Sequence, residues 1–142
     1  MAGSNYVLDK GFPVLSTYNS SAAAGVLAYR VVKWSSTAID LQTAATATSG
    51  TLGVVQESID AAKVATGKVV ADVRLLGITK VLVTTATSLA IGVRVMAGAG
   101  GGVVLATTTN QVLGIIVGVG TSGTITAGDL IDVLLVPGVA MV

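Results

Sequence analysis

Gly67-Lys68-Val69-Val70-Ala71-Asp72-Val73-Arg74-Leu75-Leu76-Gly77 decides how the rest of this chain is read. Between its two glycines, Lys68, Val70, Asp72, Arg74 and Leu76 fall on one face, while Val69, Ala71, Val73 and Leu75 fall on the other. Side chains alternate across a strand with period two, so this pattern specifies a β-strand with one wet face and one buried face.

A weaker copy, Gly128-Asp129-Leu130-Ile131-Asp132-Val133-Leu134-Leu135-Val136-Pro137-Gly138, spans the same length between glycines about 61 residues later, with Asp129 in the place of Lys68. Thr51-Leu52-Gly53-Val54-Val55 precedes the first copy as Val112-Leu113-Gly114-Ile115-Ile116 precedes the second. Further upstream, Ala28-Tyr29-Arg30-Val31-Val32 matches Gly92-Val93-Arg94-Val95-Met96 at an offset of about 64. Three segments recurring in order point to an internal repeat. The chain therefore reads as a single β domain over 25–142, with two related β-rich halves at 25–80 and 88–138, preceded by an N-terminal arm over 1–24 that either reaches onto a neighbour or lies as a strand on its own domain.

The fold class expected is all-β: a compact β-sandwich or barrel of about ten short strands, with an extended N-terminal arm. Val26–Trp34 and Ala38–Leu41 read as a hairpin, the Thr/Ala/Ser run 43–50 as a loop, and 52–56 as a strand. Residues 59–65 suit one helical turn or a loop. Strands are expected at 68–76 and 80–84, then at 92–96, 103–107, 112–119, 124–126 and 129–136, with glycine-rich turns between them. No helix of ten or more residues is expected, which excludes a doubly wound α/β sheet.

Of the 142 residues, 52% are hydrophobic, only 11% are charged and 4% are aromatic. A soluble domain ordinarily carries about a quarter charged residues, so this chain can hardly cover itself with polar surface. Part of its exterior is expected to be buried against copies of itself or a partner. Val95 to Gly128 contains no charge, yet its glycines and the run Thr107-Thr108-Thr109-Asn110-Gln111 leave no window of helix-favouring apolar residues long enough to span a bilayer. Neither a signal peptide nor a membrane partner is expected. The net charge of +1, with both signs interspersed, gives no basic face for nucleic acid.

The chain has no His and no Cys. The commonest general base, the thiol nucleophile and the commonest transition-metal ligands are thus missing, and the reading is no enzyme, no catalytic residue, no metal and no cofactor. Gly118-Val119-Gly120-Thr121-Ser122-Gly123 fits a dinucleotide-loop spacing, but the β-favouring Thr124-Ile125-Thr126 follows where a helix is required. Gly98 to Gly102 lacks the Lys-Ser/Thr of a phosphate loop and reads as a turn; Gly67-Lys68 lacks the hydroxyl residue that would hold magnesium. Asn19-Ser20-Ser21 is a glycosylation sequon with no secretory route to use it. Arg30, Arg74 and Arg94 sit inside strand patterns, where they face solvent, blunt an edge or pair across subunits with Asp72 or Asp132. Candidate capsid or subunit interface residues are the aromatic and basic side chains Tyr6, Lys10, Phe12 and Tyr18 of the arm, with the sole Trp34 as a hot-spot anchor.

In their order, Asn5-Tyr6-Val7 with Gly11, Gly25-Val26-Leu27, Leu52-Gly53-Val54-Val55, Gly67 to Gly77, Ala90-Ile91-Gly92-Val93-Arg94-Val95, Leu113-Gly114-Ile115 and Ala127-Gly128 resemble the tailed-phage head decoration, or capsid cement, proteins. The likeness covers residues 5 to about 136. This chain departs from that pattern in a longer first half, in the small polar stretch 19–24, and in lacking an acid after Gly92. The resemblance implies a non-enzymatic β protein, made in the host cytoplasm, that binds the major capsid protein on the outer surface of an assembled virion head, often as a homotrimer, and stabilises the shell. Two other readings stand beside it. One is a self-assembling major subunit of a shell or fibre; the other is a β-sandwich carbohydrate-binding module, against which the scarcity of aromatics counts.

Overall fold

The computed structural model describes residues 7–15, 18, 25–35, 37–41, 50–107, 110–120 and 123–140, with the backbone alone for 137–140. Among these, the chain forms nine strands and one short helix: β1 (Leu8–Val14), β2 (Val31–Trp34), β3 (Ile39–Leu41), β4 (Thr51–Val55), α1 (Ala61–Ala65), β5 (Val69–Leu82), β6 (Arg94–Ala97), β7 (Val103–Leu105), β8 (Gln111–Gly118) and β9 (Leu130–Ala140). The fold is all-β, as the sequence pattern requires.

β5 is the spine. Its inward residues Ala71, Val73, Thr79 and Val81 are buried, and Val70, Asp72, Leu76, Ile78 and Lys80 between them are exposed. The two strands expected at 68–76 and 80–84 are thus one strand of 14 residues. The alternation carries through Gly77, which at φ 98° adopts a conformation that a Cβ disfavours. That glycine marks where β5 changes partners. Before it, Leu8–Val14 of β1 lies antiparallel to Val69–Leu76; from it onward, Gly77–Leu82 lies antiparallel to Leu130–Leu135 of β9.

The sheet order is β1-β3-β2-β4-β5-β9-β8-β6-β7, and two further pairings curl it into two rings. β1 pairs with both β3 and β5, closing a first barrel of β1, β3, β2, β4 and the front of β5. Val83, just past the end of β5, bridges Val103 in parallel, closing a second barrel of the back of β5, β9, β8, β6 and β7. One strand serves both barrels. Each has its own core: Val14, Val32, Ile39, Val55, Ala71 and Val73 in the first, and Val81, Val95, Leu113, Ile116, Ile131 and Val133 in the second.

The pairing scheme of the first barrel recurs in the second. Gly53 of β4 faces Val32 of β2, and Gly114 of β8 faces Val95 of β6. A Cβ added at Gly53 would lie 2.2 Å from the Arg74 carbonyl oxygen, and one at Gly114 would lie 2.3 Å from that of Leu134. Both positions demand glycine for the same reason, close approach of a neighbouring backbone. The backbone bends alike ahead of β2 and β6: Tyr29 N–H donates to Val55 O and Gly92 N–H to Ile116 O, both residues at positive φ. These contacts match Val32 with Val95 and Arg74 with Leu134, one residue away from the register read in the sequence for the strands flanking β4 and β8.

Of the two readings of the N-terminal arm, the strand lying on its own domain holds over Leu8–Val14, because its apolar residues and Gly11 find a full-length partner in β5. Pro13, which has no N–H to give, and Lys10 lie on this strand, whose second side pairs with β3 only at Val14. Residues 124–126 form no strand: the Thr126 N–H and hydroxyl both donate to the Asp129 carboxylate, making a turn ahead of β9. These bonds, the backbone one first, hold the Asp129 carboxyl below its usual range. The helical turn expected within 59–65 is present as α1, capped by the Asp60 side chain accepting from Ala62 N–H at 2.7 Å.

Candidate interaction site

The inner face of β1 runs Val14, Phe12, Lys10 from the core of the first barrel out to its rim. Phe12 packs against that core while Lys10 is exposed. Across the rim, Trp34 continues the inner row of β2 beyond the buried Val32, opposite Ile39, and keeps 47% of its surface in solvent. The Phe12 and Trp34 rings meet edge-on with centroids 5.5 Å apart, and the Lys10 ammonium lies 5.8 Å from the Phe12 centroid. Ring quadrupoles favour both contacts. Three of the candidate residues thus form one cluster, although Trp34 is far from the other two in sequence.

Tyr18 does not join them. It is only 6% exposed and belongs to the first core. Burial, reinforced by the nearby Asp40 charge, pushes its phenol well above the ordinary tyrosine value, and its hydroxyl has no hydrogen-bond partner among the described residues. An aromatic in a segment without periodicity gave no sign of which way it would turn. Tyr6 lies outside the described residues.

A second surface was not singled out from the sequence. On the outer face, Leu8 sits opposite Leu76, Ile78 opposite Leu134, and Leu134 opposite Ile115. Leu8, Leu76, Ile78 and Leu134 are all exposed, which makes an apolar row across β1, β5 and β9 that half-buried Ile115 continues onto β8. It is flanked by two ion pairs: Arg74 with Asp9 at 2.7 Å and Lys80 with Asp132 at 3.1 Å. The Arg74 hydrogen bond holds the Asp9 carboxyl below its usual range. The row's signal was the run Leu75-Leu76-Gly77-Ile78, in which an apolar side chain falls on the wet face. Arg74 is thus paired within the chain, and Arg30 donates through Nη1 to the Gly100 carbonyl at 2.9 Å.

Among the described residues no group of three or more His, Cys, Asp or Glu could hold a metal, and no helix is long and apolar enough to cross a membrane. Apolar side chains at a rim and on a sheet face can form contacts with another macromolecule.

No protein-family model and no curated protein matches this sequence. Among solved structures, the chain is similar to the N base of the head fiber gp8.5 of bacteriophage phi29: 18% identical, with a TM-score of 0.56, over 91% of this chain and 95% of that one. What the two share is the fold, along almost their whole lengths.

Proposed function

We propose that this protein is a non-enzymatic structural component of a tailed-phage virion, mounted on the outer surface of the head through the major capsid protein, where it reinforces the shell. The observation that carries this reading is the fold held in common with a phage head fiber base over nearly all of both chains. The surface chemistry agrees with it. An apolar row of the kind on β1, β5 and β9 and an exposed Trp–Phe–Lys cluster suit repeated contacts on a symmetric lattice, where modest interfaces add through avidity. Peptide mass spectrometry with copy-number quantification on purified particles from the source culture tests it. A copy number comparable to that of the major capsid protein is expected; absence from intact particles overturns the proposal.

A further inference from the structure

The two barrels are joined by more than β5. Val31 and Val54 point out of the first barrel, alternating with Val32 and Val55, and both are fully buried in the core of the second. The Gln56 side chain hydrogen-bonds the Thr79 hydroxyl, and Arg30 bonds Gly100 at the β6–β7 turn. Gly101, in that turn, is packed so closely that a Cβ would lie 3.0 Å from the Val31 carbonyl oxygen. The flank of the first barrel therefore caps the rim of the second, formed by Thr79, Val81, Ala97 and the turn 98–102.

The matching registers identify the counterparts of these two surfaces. The rim positions Thr79, Val81 and Ala97 of the second barrel correspond to Lys10, Phe12 and Trp34 of the first. The flank positions Val31, Val54 and Gln56 of the first correspond to Arg94, Ile115 and Val117 of the second. One rim and one flank are buried against each other inside the chain. The other rim keeps Lys10 and Trp34 in solvent, and the other flank keeps Arg94 and Val117 there, with Ile115 half-buried and running on into exposed Leu134 and Ile78.

We infer that copies of this chain associate head to tail, the first-barrel rim of one copy seated on the second-barrel flank of the next. The internal contact supplies the precedent, since units that cannot cover their own apolar faces bury them by stacking. The chemistry fits. The Trp34 indole covers Ile115, Val117 and Leu134, and the Arg94 guanidinium finds the ring faces of Trp34 and Phe12. The two surfaces differ, so the interface is heterologous and generates a ring or a fibre rather than a two-fold dimer. This inference rests on the internal packing alone and holds whether or not the protein sits on a phage head.

Sedimentation velocity on the full chain, with Trp34→Glu as the broken rim and Val117→Glu as the broken flank, tests it. The wild type is expected to form assemblies larger than a dimer. Each variant alone is expected to be monomeric, and an equimolar mixture of the two to form a dimer and nothing larger, since only one intact rim–flank pair remains. Circular dichroism matching the wild type and a cooperative thermal transition establish that both variants fold, the loss of association itself lowering the melting temperature. Emission from the sole Trp of unmodified protein gives a readout that needs no variant: it should shift to shorter wavelength as concentration rises from about 0.1 to about 100 µM, a range that brackets micromolar affinity. A wild type that stays monomeric with unshifted emission, variants that keep the wild-type mass, or a mixture that stays monomeric overturns the inference.

Discussion

Gly53→Ala and Gly114→Ala should be among the most damaging methyl additions possible in this chain, and about equally so. At Gly53 the new Cβ would stand 2.2 Å from the Arg74 carbonyl oxygen and 2.9 Å from Val73 Cγ1, where ordinary contact begins at 3.4 Å. Neither neighbour is the free end of a flexible side chain, so β4 must draw back from β5 by about 1 Å. That movement weakens the Val54–Arg74 pairing and the Gln56 N–H bond to Asp72 O. Two backbone bonds at about 1 kcal/mol each, added to the usual 1–3 kcal/mol of overpacking, give a loss of about 3–5 kcal/mol. Gly114→Ala meets Leu134 O and Val133 Cγ1 in the same geometry and should cost about the same. Gly50→Ala, with nothing within 4 Å, is the control and should change stability by less than about 1 kcal/mol in either direction. Urea unfolding followed by circular dichroism reads the differences; at a slope of about 1–3 kcal/mol per molar, the two core glycine variants should lose at least about 1 M in midpoint. Midpoints for Gly53→Ala and Gly114→Ala within error of Gly50→Ala would refute the idea that backbone approach fixes these glycines.

The Asp9 carboxyl is held below the ordinary aspartate value by the Arg74 hydrogen bond, so the pair's contribution is present above the unfolded value and lost as pH falls through the folded one. Because both side chains are partly exposed, Asp9→Asn should cost only about 0.5 kcal/mol near neutrality and less at pH 2, which urea titration at the two pH values checks. Tyr18→Phe removes a buried hydroxyl that has no partner among the described residues and should be neutral or mildly stabilising, whereas Tyr18→Ala should cost about 3–5 kcal/mol through the cavity it leaves. Thermal melts of the two variants would expose a hidden role for the hydroxyl if Tyr18→Phe proved the worse.

Much of the fold was written in local pattern. The period-two alternation of Val69–Leu75 placed the inner face of β5 correctly, and the Gly-bracketed aliphatic runs located β4, β8 and β9 to within a few residues. What the pattern could not carry was partnership. Gly77 reads as the end of a strand because glycine weakens strand interiors, and only the exchange of β1 for β9 explains why the strand runs through it. The glycines at 53 and 114 recur in sequence, but their contacts with Arg74 and Leu134 fix the register of the flanking strands, which aliphatic similarity alone left one residue out. At the candidate site the residue types were legible and their direction was not. Lys10, Phe12 and Trp34 meet because β1 and β2 close one barrel, while Tyr18, equally aromatic, turns into its core.

β5 also determines how the molecule answers a pull. Two barrels on a linker would extend at the joint before either unfolded, but here the joint is a strand bonded along its length, first to β1 and then to β9. Tension applied across the chain reaches the second barrel through Val69–Leu82 and through the flank whose Val31 and Val54 are buried in its core, and the load on the strand is shared at once among the bonds to β1, β4 and β9. Stretched, the protein should resist as one stiff strut and fail in a single event rather than as two beads released in turn.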